Sequence, residues 1–304
     1  MMKFLLAFVA MGSLFSAENE NNDQKVNENK NQKQVVDDFP SYWDAWQWLA
    51  RVGGSYEWRM PGVNVTSVDT IQPLYITDQT FRHTAFFQFD ALLQGSKHTV
   101  SPGLGYRVLT PCEWWLVGVN SFFDARVDHA VHRFSVGADI QTPWATLTGN
   151  YYRHTTTWID VAFDDGITSE QRAVDGGDVN LSVPLPYMPW FRVQGSYFRW
   201  NFYDEAARNG YRVIGNIDIA GPLSISGGTV RDDVKVNNFV QVALRLGNPI
   251  RIMYSIFKNK GFTKEAFPKR NMRRYLLEPV DRERLVVYDK EQTGSNGINI
   301  GRGT

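Results

Sequence analysis

The chain has 304 residues, 43% of them apolar, and carries 32 basic against 32 acidic side chains. That length holds one large domain or two ordinary ones, and a balanced charge leaves no surplus of Lys and Arg for a polyanion, which excludes nucleic acid as the main partner. After Val9 no apolar run approaches the roughly 20 residues of a membrane helix, and a single cysteine, Cys112, excludes both a disulfide framework and a Cys-rich zinc site.

Lys3 followed by Phe4-Leu5-Leu6-Ala7-Phe8-Val9-Ala10-Met11 reads as the charged and apolar regions of an export signal, with a cleavage zone at 13–17. Residues 1–17 are therefore expected to be a signal peptide. Residues 18–38 are dominated by Asn, Gln, Lys and Glu and are expected to be disordered, because they hold too few apolar groups to offset the entropy of ordering. Residues 39–50 form a short amphipathic lead-in, in which Trp43, Trp46 and Ala50 repeat at helical spacing. This suits an interfacial helix or an apolar run into the first strand.

From 51 to 248 the dominant period is two. Phe134, Val136, Ala138 and Ile140 alternate with Ser135, Gly137, Asp139 and Gln141. Leu147, Gly149 and Tyr151 alternate with Thr148, Asn150 and Tyr152, and Val240, Val242 and Leu244 alternate with Gln241, Ala243 and Arg245. Each segment thus has one apolar face and one polar or small face. A soluble sandwich shows the same alternation, but segments of about ten residues fit a tilted membrane strand better than the usual five or six. Asp, Asn, Thr and Gly on the polar face suit a wet lumen, and Trp and Tyr near segment ends suit an aromatic girdle.

The turns carry a second regularity. One set is short and bears Pro111, Pro143, Pro186 with Pro189, and Pro222; the alternate set is longer and polar, at 94–97, 126–129, 155–177, 203–210 and 231–238. Short turns at one end and longer loops at the other are an outer-membrane pattern, and proline stops a strand without leaving a ladder donor unmet. The expected fold is all-β, a transmembrane antiparallel up-and-down β-barrel of about twelve strands. It would sit in the bacterial outer membrane among outer-membrane lipid, after delivery by periplasmic chaperones and the barrel-assembly machinery. The largest loop, 155–177, with Trp158, Phe163, Asp164 and Asp165, is the place to meet a surface or host partner.

These residues resemble a family. Leu116-Val117-Gly118-Val119-Asn120-Ser121-Phe122-Phe123-Asp124, Arg133-Phe134-Ser135-Val136-Gly137-Ala138-Asp139 and Leu147-Thr148-Gly149-Asn150-Tyr151-Tyr152-Arg153 look like the barrel of inverse autotransporters, the intimin and invasin group. Ile71-Gln72-Pro73-Leu74-Tyr75 upstream, Asp175-Gly176-Gly177-Asp178-Val179-Asn180-Leu181 and Gln194-Gly195-Ser196-Tyr197-Phe198 downstream, and Leu276-Leu277-Glu278-Pro279-Val280-Asp281-Arg282 near the end follow in the family's order. The resemblance spans roughly 45–290. It implies a barrel of twelve strands with both chain ends periplasmic and a C-terminal segment that returns through the lumen to display immunoglobulin-like adhesion domains. The chain stops at Thr304, so no passenger is expected here, and no peptidoglycan-binding module is expected before the barrel.

The segment 249–304 is expected to be a linker or plug. Arg270, Arg273 and Arg274 belong to a basic stretch placed to lie in the lumen against the inward carboxylates Asp139, Asp178 and Asp218, the alternative being a solvated tail. Catalysis has little support, and no enzyme activity or cofactor is expected. His83, His98, His129, His132 and His154 are scattered, and no third ligand at metal spacing joins His129 and His132. No Gly-rich phosphate loop occurs, and no Ser–His pair can be assembled. Two function classes remain: an anchor and translocator barrel for a C-terminal passenger, and a porin-like channel or structural barrel. They differ in whether the lumen is filled by the chain's own tail.

Overall fold

Alternating faces make the strands of this chain and the turns divide them. The computed structural model describes residues 51–77, 81–128, 130–162, 168–203, 205–220, 222–246, 262–268 and 272–293. The expected leader, polar tract and lead-in lie outside the described residues, as do 247–261, Arg270, Phe163, Asp164 and Asp165.

The strands are β1 (Arg51–Met60), β2 (Val65–Ile76), β3 (His83–Gln94), β4 (Lys97–Leu109), β5 (Leu116–Arg126), β6 (Val131–Gln141) and β7 (Thr146–His154). They continue with β8 (Ile159–Ala162), β9 (Thr168–Ala173), β10 (Asp175–Leu185), β11 (Met188–Asn201), β12 (Arg208–Ala220), β13 (Leu223–Asp232), β14 (Val236–Leu246) and β15 (Tyr288–Thr293). Twelve of them close a barrel in the order β1-β14-β13-β12-β11-β10-β7-β6-β5-β4-β3-β2, and β15-β9-β8 form a separate three-stranded sheet. Every neighbouring pair in the barrel is antiparallel, and β1 closes the ring by pairing with both β14 and β2. Barrel strands run from 9 residues in β7 to 14 in β11, enough to cross a hydrocarbon layer at a tilt.

Register converts the sequence alternation into an outer and an inner surface. Val117, Ile140, Leu147 and Leu181 stand side by side across β5, β6, β7 and β10 and face outward, 40–48% exposed. The next rung, Gly118, Asp139, Thr148 and Asn180, faces the lumen. Such an apolar outer band is stable only in lipid. Trp114 and Trp115 meet Trp144 at one rim, with ring centroids 5.6 and 6.3 Å apart. At the other rim Tyr56 packs edge-on against Trp58 at 4.6 Å.

Inside, large aromatics lie flat on glycines of the neighbouring strand. A Cβ at Gly103 would stand 2.1 Å from the Phe122 ring, and one at Gly105 would stand 2.1 Å from Phe86. These glycines let a narrow wall hold a bulky lining.

The turns sort by end. Pro111, Pro143, Pro186 and Pro222 lie between β4–β5, β6–β7, β10–β11 and β12–β13, all at one end, which we call the proline end. Pro61, in the β1–β2 connection, is an exception at the opposite, loop end. The loop expected over 155–177 ends earlier, because Asp175, Gly176 and Gly177 already belong to β10, and its described part carries the hairpin β8–β9.

Candidate functional site

The site is the lumen, and its central element is the chain's own tail. At the proline end residues 262–268 lie on the β10–β11 turn, where the Thr263 amide donates to the Tyr187 carbonyl (2.9 Å) and the Tyr187 amide to that of Ala266 (2.8 Å). A single 3-10 turn, Met272–Tyr275, follows, and Met272, Leu276 and Leu277 are buried. From Leu276 the chain runs without helix or strand to β15, and its contacts move steadily toward the loop end.

A lone extended segment in a lumen has no strand neighbour, so its backbone groups need side-chain partners. The wall supplies them. Arg107 Nη1 donates to the carbonyls of Leu276 (2.8 Å) and Glu278 (2.6 Å), and Gln88 accepts from the Val280 amide (3.0 Å). Thr148 and Asn150 donate to the Asp281 carbonyl at 3.2 and 3.0 Å, and Arg133 donates to that of Glu283 at 2.5 Å. The Tyr152 hydroxyl accepts from the Glu283 amide (2.8 Å) and donates to Asp178 (2.5 Å).

Charged tail residues follow the same path, with signs that alternate from Asp281 to Arg284. Arg51 of β1 holds Glu278 at 2.6 Å and also donates to the Arg274 carbonyl at 2.9 Å. Gln194 donates to the Asp281 carboxylate at 2.6 Å, and Arg212 pairs with Glu283. Between these, Arg282 makes a two-pronged contact with Asp124 (2.8 and 3.0 Å) and lies 3.6 Å from Asp90. Buried pairs offset their desolvation only with this kind of geometry.

At the loop end the Val174 amide donates to the Val287 carbonyl (3.0 Å), and Val286 and Tyr288 pack with Val131 and Ala173. The Arg126 guanidinium stands 4.3 Å over the Tyr288 ring. β15 then adds to the loop hairpin, from Tyr288 opposite Ala173 to Thr293 opposite Thr168. A cavity of about 510 Å³ remains beside the tail, with Ser55, Asn216, Ser226 and Gln241 on its wall.

Outside the spanning strands, Asp128 lies in the β5–β6 loop. Burial alone would raise its carboxyl, but the hydrogen bond and charge of Arg126 and the His98 amide outweigh burial and hold it below the ordinary value. At the proline end a hydrogen bond with Thr110 lowers the exposed Cys112 thiol.

The lumen residues named from sequence divide as follows. Asp139, Asp178 and Asp218 face inward and are buried. Arg107 (3.2 Å) and Gln141 (2.8 Å) hold Asp139, and Arg192 lies 3.9 Å from Asp218. Asn150 (2.8 Å) and Asn180 (2.7 Å) hold Asp178, which also accepts from the Glu283 amide of the tail at 3.2 Å. Arg273 pairs with Glu113 in the β4–β5 turn. Arg273 and Arg274 belong to the 3-10 turn, and the extended segment follows it from Leu276. Trp158 lies edge-on to Tyr203 (5.9 Å), and the Arg172 guanidinium stands 4.9 Å over it. Sequence reasoning missed Asp90, Asp124, Glu278, Arg282 and Glu283. The available signal was the acid–base alternation over 281–284 and two carboxylates on polar strand faces.

A family model for the inverse autotransporter β-domain matches residues 10–209. The chain is 27% identical over 124 residues to the invasin of Yersinia enterocolitica, covering 41% of this chain and 14% of that protein. It is 30% identical over 141 residues to the inverse autotransporter adhesin YeeJ of Escherichia coli K12, covering 46% of this chain and 6% of that one. The match thus spans a small part of either relative. Among solved structures, a barrel from a study of in-meso crystallization of membrane proteins superposes with TM-score 0.63 at 14% identity, over 79% of this chain and 99% of that one. An outer-membrane channel from Pseudomonas putida F1 gives TM-score 0.50 at 11% identity, over 65% and 95% of the two chains. At these identities the likeness is one of fold.

Proposed function

Because the chain belongs to the inverse autotransporter β-domain family and is a barrel of the bacterial outer membrane, we propose that it is a translocator and anchor held closed by its own C-terminal segment. The proline turns face the periplasm and the loops face the exterior, as short and long connections do in this class of barrel. The tail enters at the periplasmic mouth near Tyr187, crosses beside Arg107, Asp124 and Arg133, and leaves beside β9. Export and surface display of a passenger joined after β15 is the activity this path serves, with adhesion as its outcome.

The observation that carries the reading is the pairing of β15 with β9. A periplasmic tail has no route to a strand in the exterior loop. The second reading, a porin-like channel, draws on the cavity of about 510 Å³ that the tail leaves open. Against it stand the bonds that the described tail residues make to six wall strands, since a chain held in that way is not a passing occupant.

Orientation is tested with an epitope inserted after Gly166, between β8 and β9. It is expected to be stained on intact cells. Staining only after permeabilisation would invert the barrel and remove the export reading.

A further inference from the structure

The outer face of the barrel carries a feature that neither anchoring nor export requires. Along the outward positions of the twelve barrel strands, Lys and Arg occur at Arg153, Arg199 and Arg231 and nowhere else. All three are exposed, and each lies within two residues of the loop end of its strand, β7, β11 or β13. The outward positions toward the proline end hold no cation among the described strands. A charge on the lipid face of a barrel is costly at mid-depth and tolerated at the interface, so their placement at one rim follows. Their confinement to one sector of five strands does not.

No described residue makes a hydrogen bond or ion pair with any of the three side chains. The nearby carboxylates are engaged elsewhere. Asp175 accepts from the ring and amide of His154 at 2.7 Å, Asp232 accepts from the Val234 (2.8 Å) and Lys235 (2.7 Å) amides, and Asp233 accepts from the Asn209 amide at 2.9 Å.

Below the arginines stands a row of exposed tyrosines, Tyr151, Tyr197 and Tyr211. Tyr151, Gly177, Arg199 and Asn209 share one rung, so that Gly177 leaves a gap in the outer surface between the Tyr151 and Arg199 side chains. Arg153 and Arg199 are two strands and two residues apart, and so are Arg199 and Arg231, which sets their Cα atoms about 12 Å apart along the wall. The row is therefore a ladder of unpaired guanidiniums at headgroup depth, above rings that suit the boundary between sugar and acyl chains.

We propose that this row binds the phosphates of a phosphorylated glycolipid of the outer leaflet, with the glycan backbone over Gly177 and the acyl chains against the tyrosine row. Arginine is suited to this because its fork bonds phosphate with two parallel donors. A lipid with two phosphates at opposite ends of a disaccharide engages two neighbouring arginines at once, whereas a single phosphate engages one. The lipid would lie beside the β7–β13 sector, from which the β8–β9 loop rises. This assignment rests on the loop end facing the exterior.

The test uses the full chain, folded in detergent and stripped of lipid, with bisphosphorylated lipid A as the probe and native mass spectrometry as the readout. Lipid A is expected to bind, its dephosphorylated form to bind at least about tenfold more weakly, and inorganic phosphate at equal concentration not to displace it. Arg199→Gln is expected to weaken binding about tenfold, the size of one charge-assisted hydrogen bond. The triple change R153Q/R199Q/R231Q should abolish selectivity for the phosphorylated form, and the triple change to Lys should retain it. Equal binding of the two lipid forms by the unaltered chain overturns the proposal without any variant, as does unchanged binding by a triple Gln variant that keeps its heat-modifiable gel mobility. Because binding is read in micelles, it is independent of which end faces outward. The epitope after Gly166 reports that separately, so failure of the lipid site and failure of the export reading are distinguishable.

Discussion

Arg282, in the tail, and Asp124, on β5, are 158 residues apart in sequence and joined by two hydrogen bonds of 2.8 and 3.0 Å, with both side chains fully buried. Asp124 also accepts from Arg133 at 2.7 Å, so one carboxylate serves a wall guanidinium and a tail guanidinium together. This makes Asp124 one of the points where barrel and tail are fastened, and one at which both side chains are fully buried. Removing the carboxylate leaves two cations short of a partner, whereas removing Arg282 leaves Asp124 still paired.

The two substitutions should therefore be unequal. Asp124→Asn is expected to cost about 3–5 kcal/mol of barrel stability, the usual loss when one member of a buried pair is removed. Arg282→Met should cost less, because Met fills much of the volume and leaves the Asp124–Arg133 pair intact. Urea unfolding of both variants in detergent checks this. An Asp124→Asn barrel as stable as the unaltered one would contradict it.

The aromatic-on-glycine lining gives a sharper pair. At Gly103 an added methyl meets Phe122 at 2.1 Å, whereas at Gly149, on the outward face, nothing lies within 4 Å of the new Cβ. Gly103→Ala should destabilise the barrel by about 1–3 kcal/mol, as overpacking does. Gly149→Ala should be neutral or stabilising by up to about 1 kcal/mol, since it removes backbone freedom from the unfolded chain. Temperature-dependent gel mobility ranks the two, and the reverse order would refute the packing account.

In the β5–β6 loop, Asp128 is bonded by Arg126 and by the His98 amide, and its carboxyl lies below the ordinary 3.8. A depressed carboxylate contributes stability that is present above the unfolded value and lost as pH falls through the folded value. Protease resistance of this loop should thus be flat from about pH 7 to about pH 4 and decline only below that. In Asp128→Asn the acid-dependent part should vanish. A decline centred near neutral pH would assign the loop's order to another group.

The barrel was legible in the sequence because one physical constraint, lipid outside and water inside, acts on every strand. Phe134, Val136 and Ile140 alternate with Ser135, Gly137 and Asp139 for that reason, and the expected count of about twelve strands agrees with the closed ring. β9 was not legible. In Thr168-Ser169-Glu170-Gln171-Arg172-Ala173 the buried positions include Ser169 and Gln171, so no apolar period marks a strand whose pairing comes from β15. The plug contacts were hidden for a different reason. The dense cluster around Arg270 to Arg274 outweighs, by charge, the mixed segment 278–284. What selects the lumen residues is distance along the tail from the 3-10 turn, which composition does not encode. Interior rings such as Tyr152 and Trp200 also break the expected polar lining, and only the strand register reveals that Trp200 sits against Gly176.

The most direct test of the central claim, that the tail occupies the lumen from the proline end to the loop end, is single-channel conductance in a planar bilayer. It compares the full chain with one lacking residues 262–304, both checked for equal strand content by circular dichroism. The deletion is expected to raise conductance severalfold, because a ring of twelve strands relieved of its tail becomes a continuous aqueous path. The full chain should show at most the small conductance of the cavity beside the tail. Equal conductance for the two proteins would place the tail outside the lumen and favour the porin-like alternative.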